Sequence, residues 1–346
     1  MSADRDVLVA LVNREQAIPA TAWRSFWARV RGRELRAGEA AALVASLSTC
    51  PPDAGSLRTM LATLGEHHER PSEPLPGTVN IVGTGGGPRT FNLSTAAAFV
   101  AATIGARVVK SGSRAYTSSC GSIDLLEALG VPLTSSYAET EAVVRRHGIA
   151  CAGSFVYPRE LRLLARSVLP LDIRLLGRFF NAFGPWLAVM PVTAQVTGVS
   201  DPALLAPFRQ LARDASDRRV TLCWNGTGVD ELVSFEENVV YDGAEDREIH
   251  VAPDAFGLAA GTIEDLRPAA GDAVVSHFLD LLCGRGAAAA IDSIALNAAE
   301  LAVACGAATD FASALAAARD SMHRERPRQL LERIRTPERR SQMVTQ

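Results

Sequence analysis

Apolar positions recur at helical spacing along residues 1–67. Trp23, Phe26, Trp27 and Val30 fall on one face, and 40–47 forms a further short apolar helix. An aromatic stripe of this kind predicts a core or subunit-contact face rather than a ligand box. The segment 67–77 carries three prolines among charged residues and reads as a linker. Beyond it the period changes. A β-branched run predicts a strand at 78–82, a glycine-dense turn follows at 83–87, and a helix at 94–104 is ended by Gly105. A second strand is predicted at 106–109. Strand, helix and strand in that order make a βαβ unit, hence a parallel sheet with a right-handed crossover. A polar loop at 111–121 leads into a helix at 122–129 closed by Gly130. Further strands are predicted at 195–199, 220–224 and 248–251. Helices fill the remainder, ending in an alanine-rich set at 291–334 and a charged tail past 336 that reads as frayed.

The fold class is therefore α/β, a mostly parallel sheet flanked by helices, with a small all-α N-terminal domain. The domain reading is 1–70 for the helical part, joined by helices from about 158–192, and 76–346 for the α/β part. At 48% hydrophobic and 21% charged residues the chain can bury a large core. A net charge of −3 gives no electrostatic drive toward nucleic acid, and no zinc-finger or aromatic-sheet motif accompanies it. Apolar runs such as 96–102 are too short to span a bilayer. The closest two of the six cysteines are 22 residues apart, so no zinc-ligand spacing exists. With the polar, acidic start of the chain, this predicts a reducing cytoplasm.

Three constellations carry chemistry. In Gly83-Thr84-Gly85-Gly86-Gly87 the backbone can approach a ligand closely, and successive N–H groups can form an anion-binding concavity. The helix after it adds its N-terminus, with Asn92, Ser94 and Thr95 as donors or caps. Pro88 rules out the dinucleotide fingerprint, and no Gly-Lys-Ser/Thr follows, which rules out a P-loop. Next come Lys110-Ser111-Gly112-Ser113-Arg114 and Thr117 to Ser122, at the carboxyl end of the neighbouring strand and so facing the same crevice. Cys120 has no histidine near it in sequence and is no convincing nucleophile. The third is Asp230-Glu231, after the strand at 220–224. Two carboxylates at a strand end suit Mg²⁺, which completes its shell with phosphate and water.

The run 79–131 resembles anthranilate phosphoribosyltransferase. It carries the glycine turn, Asn92-Leu93-Ser94-Thr95, Lys110 to Arg114, and the segment from Gly121 to Gly130. Phe180-Asn181, Gly184-Pro185, Gln195, Gly198-Val199, Asp230-Glu231-Leu232, Asp254, Phe256-Gly257-Leu258 and Leu296 to Ala299 extend the match over nearly the whole chain. The resemblance implies 5-phosphoribosyl diphosphate (PRPP) as donor, Mg²⁺ as cofactor, and a homodimer formed largely through the helical part. Carried over by position, Gly83, Thr84, Gly85, Gly86, Asn92, Ser94, Thr95, Lys110 and Ser122 bind the donor, and Ser94, Asp230 and Glu231 hold the metal.

The departures fall on the acceptor side. The glycine turn is one residue shorter and lacks its acidic residue. Ser111 and Ser113 stand where the family has His and Asn. Tyr157-Pro158 replaces His-Pro, and no arginine aligns cleanly with the one that would meet an acceptor carboxylate. The acceptor-facing set by position is Ser111, Gly112, Ser113, Tyr116, Tyr157, Arg174 and Arg178. The expected function is transfer of the 5-phosphoribosyl group to an acceptor other than anthranilate, such as an amino-sugar. A hydroxyl acceptor would need a base, for which Glu160 and Asp172 are the candidates. The alternatives are a genuine anthranilate enzyme with a drifted pocket and a non-catalytic nucleotide-binding relative.

Overall fold

A computed structural model of the chain describes residues 6–15, 17–71, 73–112, 121–169, 171 and 173–335, the last from its backbone alone over 173–177. The predictions on Ser113, Tyr116, Asp172, the Arg174 side chain and the tail past 336 lie outside the described residues.

Four helices come first: α1 (Val7–Val12), α2 (Ala20–Gly32), α3 (Glu39–Thr49) and α4 (Ala54–Leu64). Asp6 and Asp53 cap α1 and α4 by accepting from the backbone N–H of Leu8 and Ser56. The α/β part then runs β1 (Leu75–Gly83), α5 (Leu93–Thr103), β2 (Arg107–Lys110), α6 (Ser122–Ala128), β3 (Leu133–Thr134), α7 (Tyr137–His147) and β4 (Ile149–Ala152). Two helices, α8 (Arg159–Ser167) and α9 (Ile173–Leu187), return to pack on α2 and α3. The chain continues through β5 (Val192–Gly198), α10 (Leu205–Arg213), β6 (Arg219–Asn225), β7 (Asn238–Asp242) and β8 (Arg247–Val251). It ends in α11 (Ala273–Leu282), α12 (Ala288–Ala304), α13 (Phe311–His323) and α14 (Arg326–Ile334).

One eight-stranded sheet has the order β3-β4-β2-β1-β5-β6-β7-β8. The first six strands in that order are parallel, and β7 and β8 add antiparallel. Alternating side chains serve two cores. On β6, Cys223 joins a core with α5 and α12, whereas Val220 and Leu222 join another with α1–α4, α8 and α9. The aromatic stripe of α2 is core: Trp23 and Trp27 stack at 5.8 Å, and the Trp27 indole donates to Thr63 at 3.2 Å. The helical part thus shares its core with one face of the sheet, which a boundary near residue 70 does not convey.

Sequence pattern missed β3, β4 and β7. The run Ile149-Ala150-Cys151-Ala152 is buried throughout, so it shows no alternation for a period of two to reveal. The strand at 106–109 is displaced by one residue, which places Lys110 inside β2.

At the centre, α5 buries eight of its eleven residues and α12 thirteen of its seventeen, so both helices are covered on nearly all sides. Glu300 of α12 is an exception within this core. Burial, reinforced by the charge of Asp242 and opposed by Arg219, pushes its carboxyl up from 4.5 to about 8. A carboxyl raised on folding contributes its full stability below its unfolded value and loses it as pH rises toward the folded one. The wild-type melting temperature is therefore expected to fall between pH 5 and 9. Glu300→Gln should flatten that fall, worth on the order of 3 kcal/mol at pH 9. Parallel pH profiles for the two proteins in thermal melts would refute this.

Candidate active site

Parallel strands deliver their carboxyl ends to one edge of the sheet, where ligands bind in open α/β folds. Here β1 ends in the glycine turn, β2 ends on Lys110, and the segments after β5 and β6 bring Ser200 and Asp230-Glu231 to the same edge. The turn is stitched to its neighbour: the Thr84 N–H donates to the Gly198 carbonyl at 2.9 Å, and the Ser200 N–H to Thr84 Oγ1 at 3.0 Å. Gly85 and Gly86 have φ of +60° and +83°, a region open to glycine at little cost. A Cβ on Gly83 would overlap the Asp230 carboxylate, and one on Gly87 would overlap the Gly228 carbonyl. Asn181 of α9 packs over the turn, 3.6 Å from where a Gly85 Cβ would stand.

The two carboxylates are held from several sides. Asp230 Oδ2 accepts from the Gly85 N–H at 2.6 Å. Glu231 Oε1 accepts from the Ser94 N–H, and Oε2 from the Thr90 hydroxyl, both at 3.3 Å. Behind them, Asn225 donates to the Glu231 carbonyl at 2.9 Å, and Asn297 of α12 brackets the Leu232 N–H and C=O at 3.1 and 2.8 Å. Lys110 donates to the Ile81 carbonyl at 3.2 Å and to Ser94 Oγ at 3.4 Å, so Ser94 links the ammonium to the acidic pair. Burial governs all three charges. It lowers Lys110 to about 8 and raises Asp230; together with the Asp230 charge it raises Glu231 to about 8. The donors described for the pair are neutral backbone and hydroxyl groups, and the Lys110 charge opposes the rise in both carboxyls. Two carboxylates with a hydroxyl beside them are a donor set that suits Mg²⁺ with ligand phosphate and water.

These groups open on a cavity of about 820 Å³ that also takes in Asn92, Gly112 and Ser122, with Tyr157 and Asn181 on the helical side. The sequence-predicted residues it brings together are Gly83 to Gly86, Asn92, Ser94, Lys110, Ser111, Gly112, Ser122, Tyr157, Asp230 and Glu231.

Four predictions need correction. Thr95 is fully buried on the inner face of α5 and does not line the cavity. The Ser111 hydroxyl is committed to Asn80: it accepts from Nδ2 at 3.1 Å and lies 3.3 Å from Oδ1, which also takes the Ser111 N–H. Arg178 is on the outer face of α9, paired with Asp201. Glu160 points into the helical part, where Arg31 pairs with it at 3.0 Å. It is 2% exposed and absent from the cavity wall, so it is no base for an acceptor there. Glu160→Gln should leave kcat within about twofold and cost about 2 kcal/mol of stability. A tenfold fall in kcat with an unchanged melt would reverse that assignment.

Sequence reasoning missed Thr90, Arg162, Ser200, Asn225 and His277, all in or directly behind the cavity wall. Asn225 had a legible signal, a polar amide ending an apolar strand. The others are single residues that only folding brings to the site.

A glycine turn, a buried lysine and a paired carboxylate thus meet at the open edge of a parallel sheet. The chain matches the model of the glycosyl transferase family, α/β domain, over residues 75–325. It is 32% identical to anthranilate phosphoribosyltransferase of Stenotrophomonas maltophilia (strain R551-3) over 73% of this chain and 74% of that protein. It is also 32% identical to that of Parasynechococcus marenigrum (strain WH8102) over 85% and 84%. The crystal structure of anthranilate phosphoribosyltransferase from Thermus thermophilus superposes with a TM-score of 0.80 at 28% identity, covering 95% of this chain and 98% of that one. The enzyme from Saccharomyces cerevisiae in complex with PRPP and Mg shares the fold, with a TM-score of 0.74 at 20% identity over 91% of both chains. The chain belongs to the anthranilate phosphoribosyltransferase family and is a phosphoribosyltransferase.

Proposed function

We propose that the protein transfers the 5-phosphoribosyl group from PRPP, with Mg²⁺, to the amine of anthranilate. The observation that carries the reading is the wiring of Asp230 and Glu231 through Ser94 to Lys110 beside the glycine turn. Asp230, Glu231 and Ser94 would hold Mg²⁺, which when bound supplies positive charge to the diphosphate leaving group. Lys110 and the backbone of the glycine turn stabilise the negative charge that builds on that group as the bond to ribose C1 breaks. Tyr157, just before α8, and Asn181 of α9 close the cavity and exclude water that would hydrolyse the donor.

The relatives support anthranilate over the different acceptor expected from the sequence, since those compared all bear that name. The chemistry of the wall agrees. An aromatic amine attacks without a strong base, and among the described lining residues the carboxylates are Asp230 and Glu231 alone. A hydroxyl acceptor would have no free carboxylate there. Diphosphate release should be saturable in anthranilate. Release with an amino-sugar and none with anthranilate would restore the other acceptor, and failure to bind PRPP with Mg²⁺ would favour a non-catalytic relative.

The reading includes a homodimer through the helical part. Val9 and Val12 of α1, and Leu169 and Leu171 after α8, are large apolar side chains left exposed. Sedimentation equilibrium tests it. The five described cysteines are free, which supports a reducing compartment such as the cytoplasm. Among the described residues no helix is long and apolar enough to cross a membrane.

A further inference from the structure

Two successive peptide groups of the glycine turn are each held by one side chain. Asp230 Oδ2 takes the Gly85 N–H at 2.6 Å and so fixes the peptide between Thr84 and Gly85. Ser200 Oγ donates to the Gly85 carbonyl at 2.5 Å and so fixes the next one, between Gly85 and Gly86. Ser200 is set in place by the buried Thr84: the Ser200 N–H donates to Thr84 Oγ1 at 3.0 Å, and the two hydroxyl oxygens lie 3.2 Å apart. With the Ser200 hydrogen committed to Gly85, the Thr84 hydroxyl can donate to Ser200 Oγ, so the chain of donors runs from Thr84 through Ser200 to Gly85. Gly85, Gly86 and Gly87 line the cavity and Ser200 does not, so Ser200 stands behind the turn.

A trans peptide points its N–H opposite to its C=O. Holding the Gly85 carbonyl back toward Ser200 therefore turns the Gly86 N–H forward, to the cavity side. Among the described residues no acceptor meets the Gly86 or Gly87 N–H, so two adjacent donors stand open there, the pattern of an anion-binding nest. Glycines at φ of +60° and +83° can rotate at little cost. Without the Ser200 anchor this peptide can turn over, and the Gly86 N–H then leaves the anion. We propose that Ser200 is a positioning residue for the diphosphate: its hydroxyl does not touch the ligand and acts by presenting the N–H groups of Gly86 and Gly87. This rests on the PRPP reading above and adds to it the residue that orders the turn before the donor arrives.

The test uses the full-length wild type with Ser200→Ala, Ser200→Thr, Gly86→Ala and the combination of Ser200→Ala with Gly86→Ala. Diphosphate is titrated by calorimetry in saturating Mg²⁺ without acceptor. Ser200→Ala should weaken its binding, and raise KM for PRPP, by about tenfold, with KM for anthranilate within about twofold. Its backbone bond to Thr84 remains, so the unliganded melt should stay within about 2 °C of wild type. Ser200→Thr keeps the hydroxyl and should restore diphosphate binding to within about threefold. A Cβ on Gly86 has room, with Ser200 Oγ at 3.9 Å, so alanine there acts through φ alone and should also weaken diphosphate. The double variant should bind within about twofold of the weaker single variant, because both changes act on one peptide. Unchanged diphosphate affinity in Ser200→Ala overturns the inference. So does a lowered melt with both substrates weakened alike, which would make Ser200 a general support of the fold. Additive losses in the double variant also overturn it and place the Ser200 hydroxyl on the ligand. Turnover is scored separately: the expected losses of diphosphate affinity, with no phosphoribosyl product from anthranilate in the wild type, would refute the proposed reaction and leave the role of Ser200 standing.

Discussion

Glu231→Gln is expected to make the metal-free protein more stable and about a hundredfold slower, a loss of about 3 kcal/mol in transition-state stabilisation. Both effects have one cause. Glu231 is buried beside Asp230, and burial with that neighbouring charge raises its carboxyl to about 8. Glutamine keeps the shape. Its carbonyl can accept from the Ser94 N–H as Oε1 does, and its amide can donate to the Thr90 hydroxyl in place of accepting from it. What disappears is the charge. Since the folded value lies above the unfolded one, the wild type loses stability as pH rises from about 4.5 toward 8, and the variant does not. The gap in melting temperature should thus widen with pH in EDTA. It should close, or reverse, once Mg²⁺ and diphosphate are added, because only the wild type offers them the full charge. Wild-type kcat in the variant, or identical melts at pH 8.5, would remove Glu231 from the metal and leaving-group machinery.

The second large effect separates two glycines that look alike in sequence. A Cβ on Gly198 would overlap the backbone of Asp230, its carbonyl oxygen, carbonyl carbon and Cα. Nothing flexible can yield there, and the Gly198 carbonyl also holds the Thr84 N–H. Gly198→Ala should cost about 3 kcal/mol or more and abolish activity by shifting the whole segment. A Cβ on Gly83 meets only the carboxylate end of Asp230. That group can swing away, at the loss of its bond from the Gly85 N–H. Gly83→Ala should therefore fold with a melting temperature within about 2 °C of wild type and lose about a hundredfold in kcat. Circular-dichroism melts beside steady-state kinetics decide it. Equal destabilisation of the two variants would mean that the close approach to the Asp230 backbone is not what requires glycine at 198.

Donor-side residues were legible because their chemistry is written in contiguous runs. The glycine turn and Asp230-Glu231 follow strands, Lys110 ends one and Ser94 opens the helix after the turn, and parallel strands send all such segments to one edge. Thr95 shows the limit of that logic. It sits next to Ser94 in the same run, but one helical step of about 100° turns it into the core. Ser111 shows another. A serine after a strand looks available, yet Asn80 across the β1–β2 pair claims its hydroxyl. On the side proposed for the acceptor the signal was weaker still, because that wall comes largely from α8 and α9, whose register toward the cavity depends on how they dock. Counting along the chain could not tell that Glu160 faces Arg31 while Arg162 faces the cavity.

By itself, then, the sequence determined the βαβ core, the parallel sheet, the family and most of the residues that meet at the sheet edge. Strand ends and glycine conformations are local properties, and right-handed crossovers convert them into a shared edge. Only the tertiary structure decided which neighbours of those residues face the ligand. It decided that the aromatic stripe of α2 closes a core shared with the sheet, that Asn225 and Asn297 hold the backbone of the segment carrying the acidic pair, and that Arg162 stands on the cavity wall. Each of these depends on the angle at which one element meets another, which is set by packing between residues far apart in the chain.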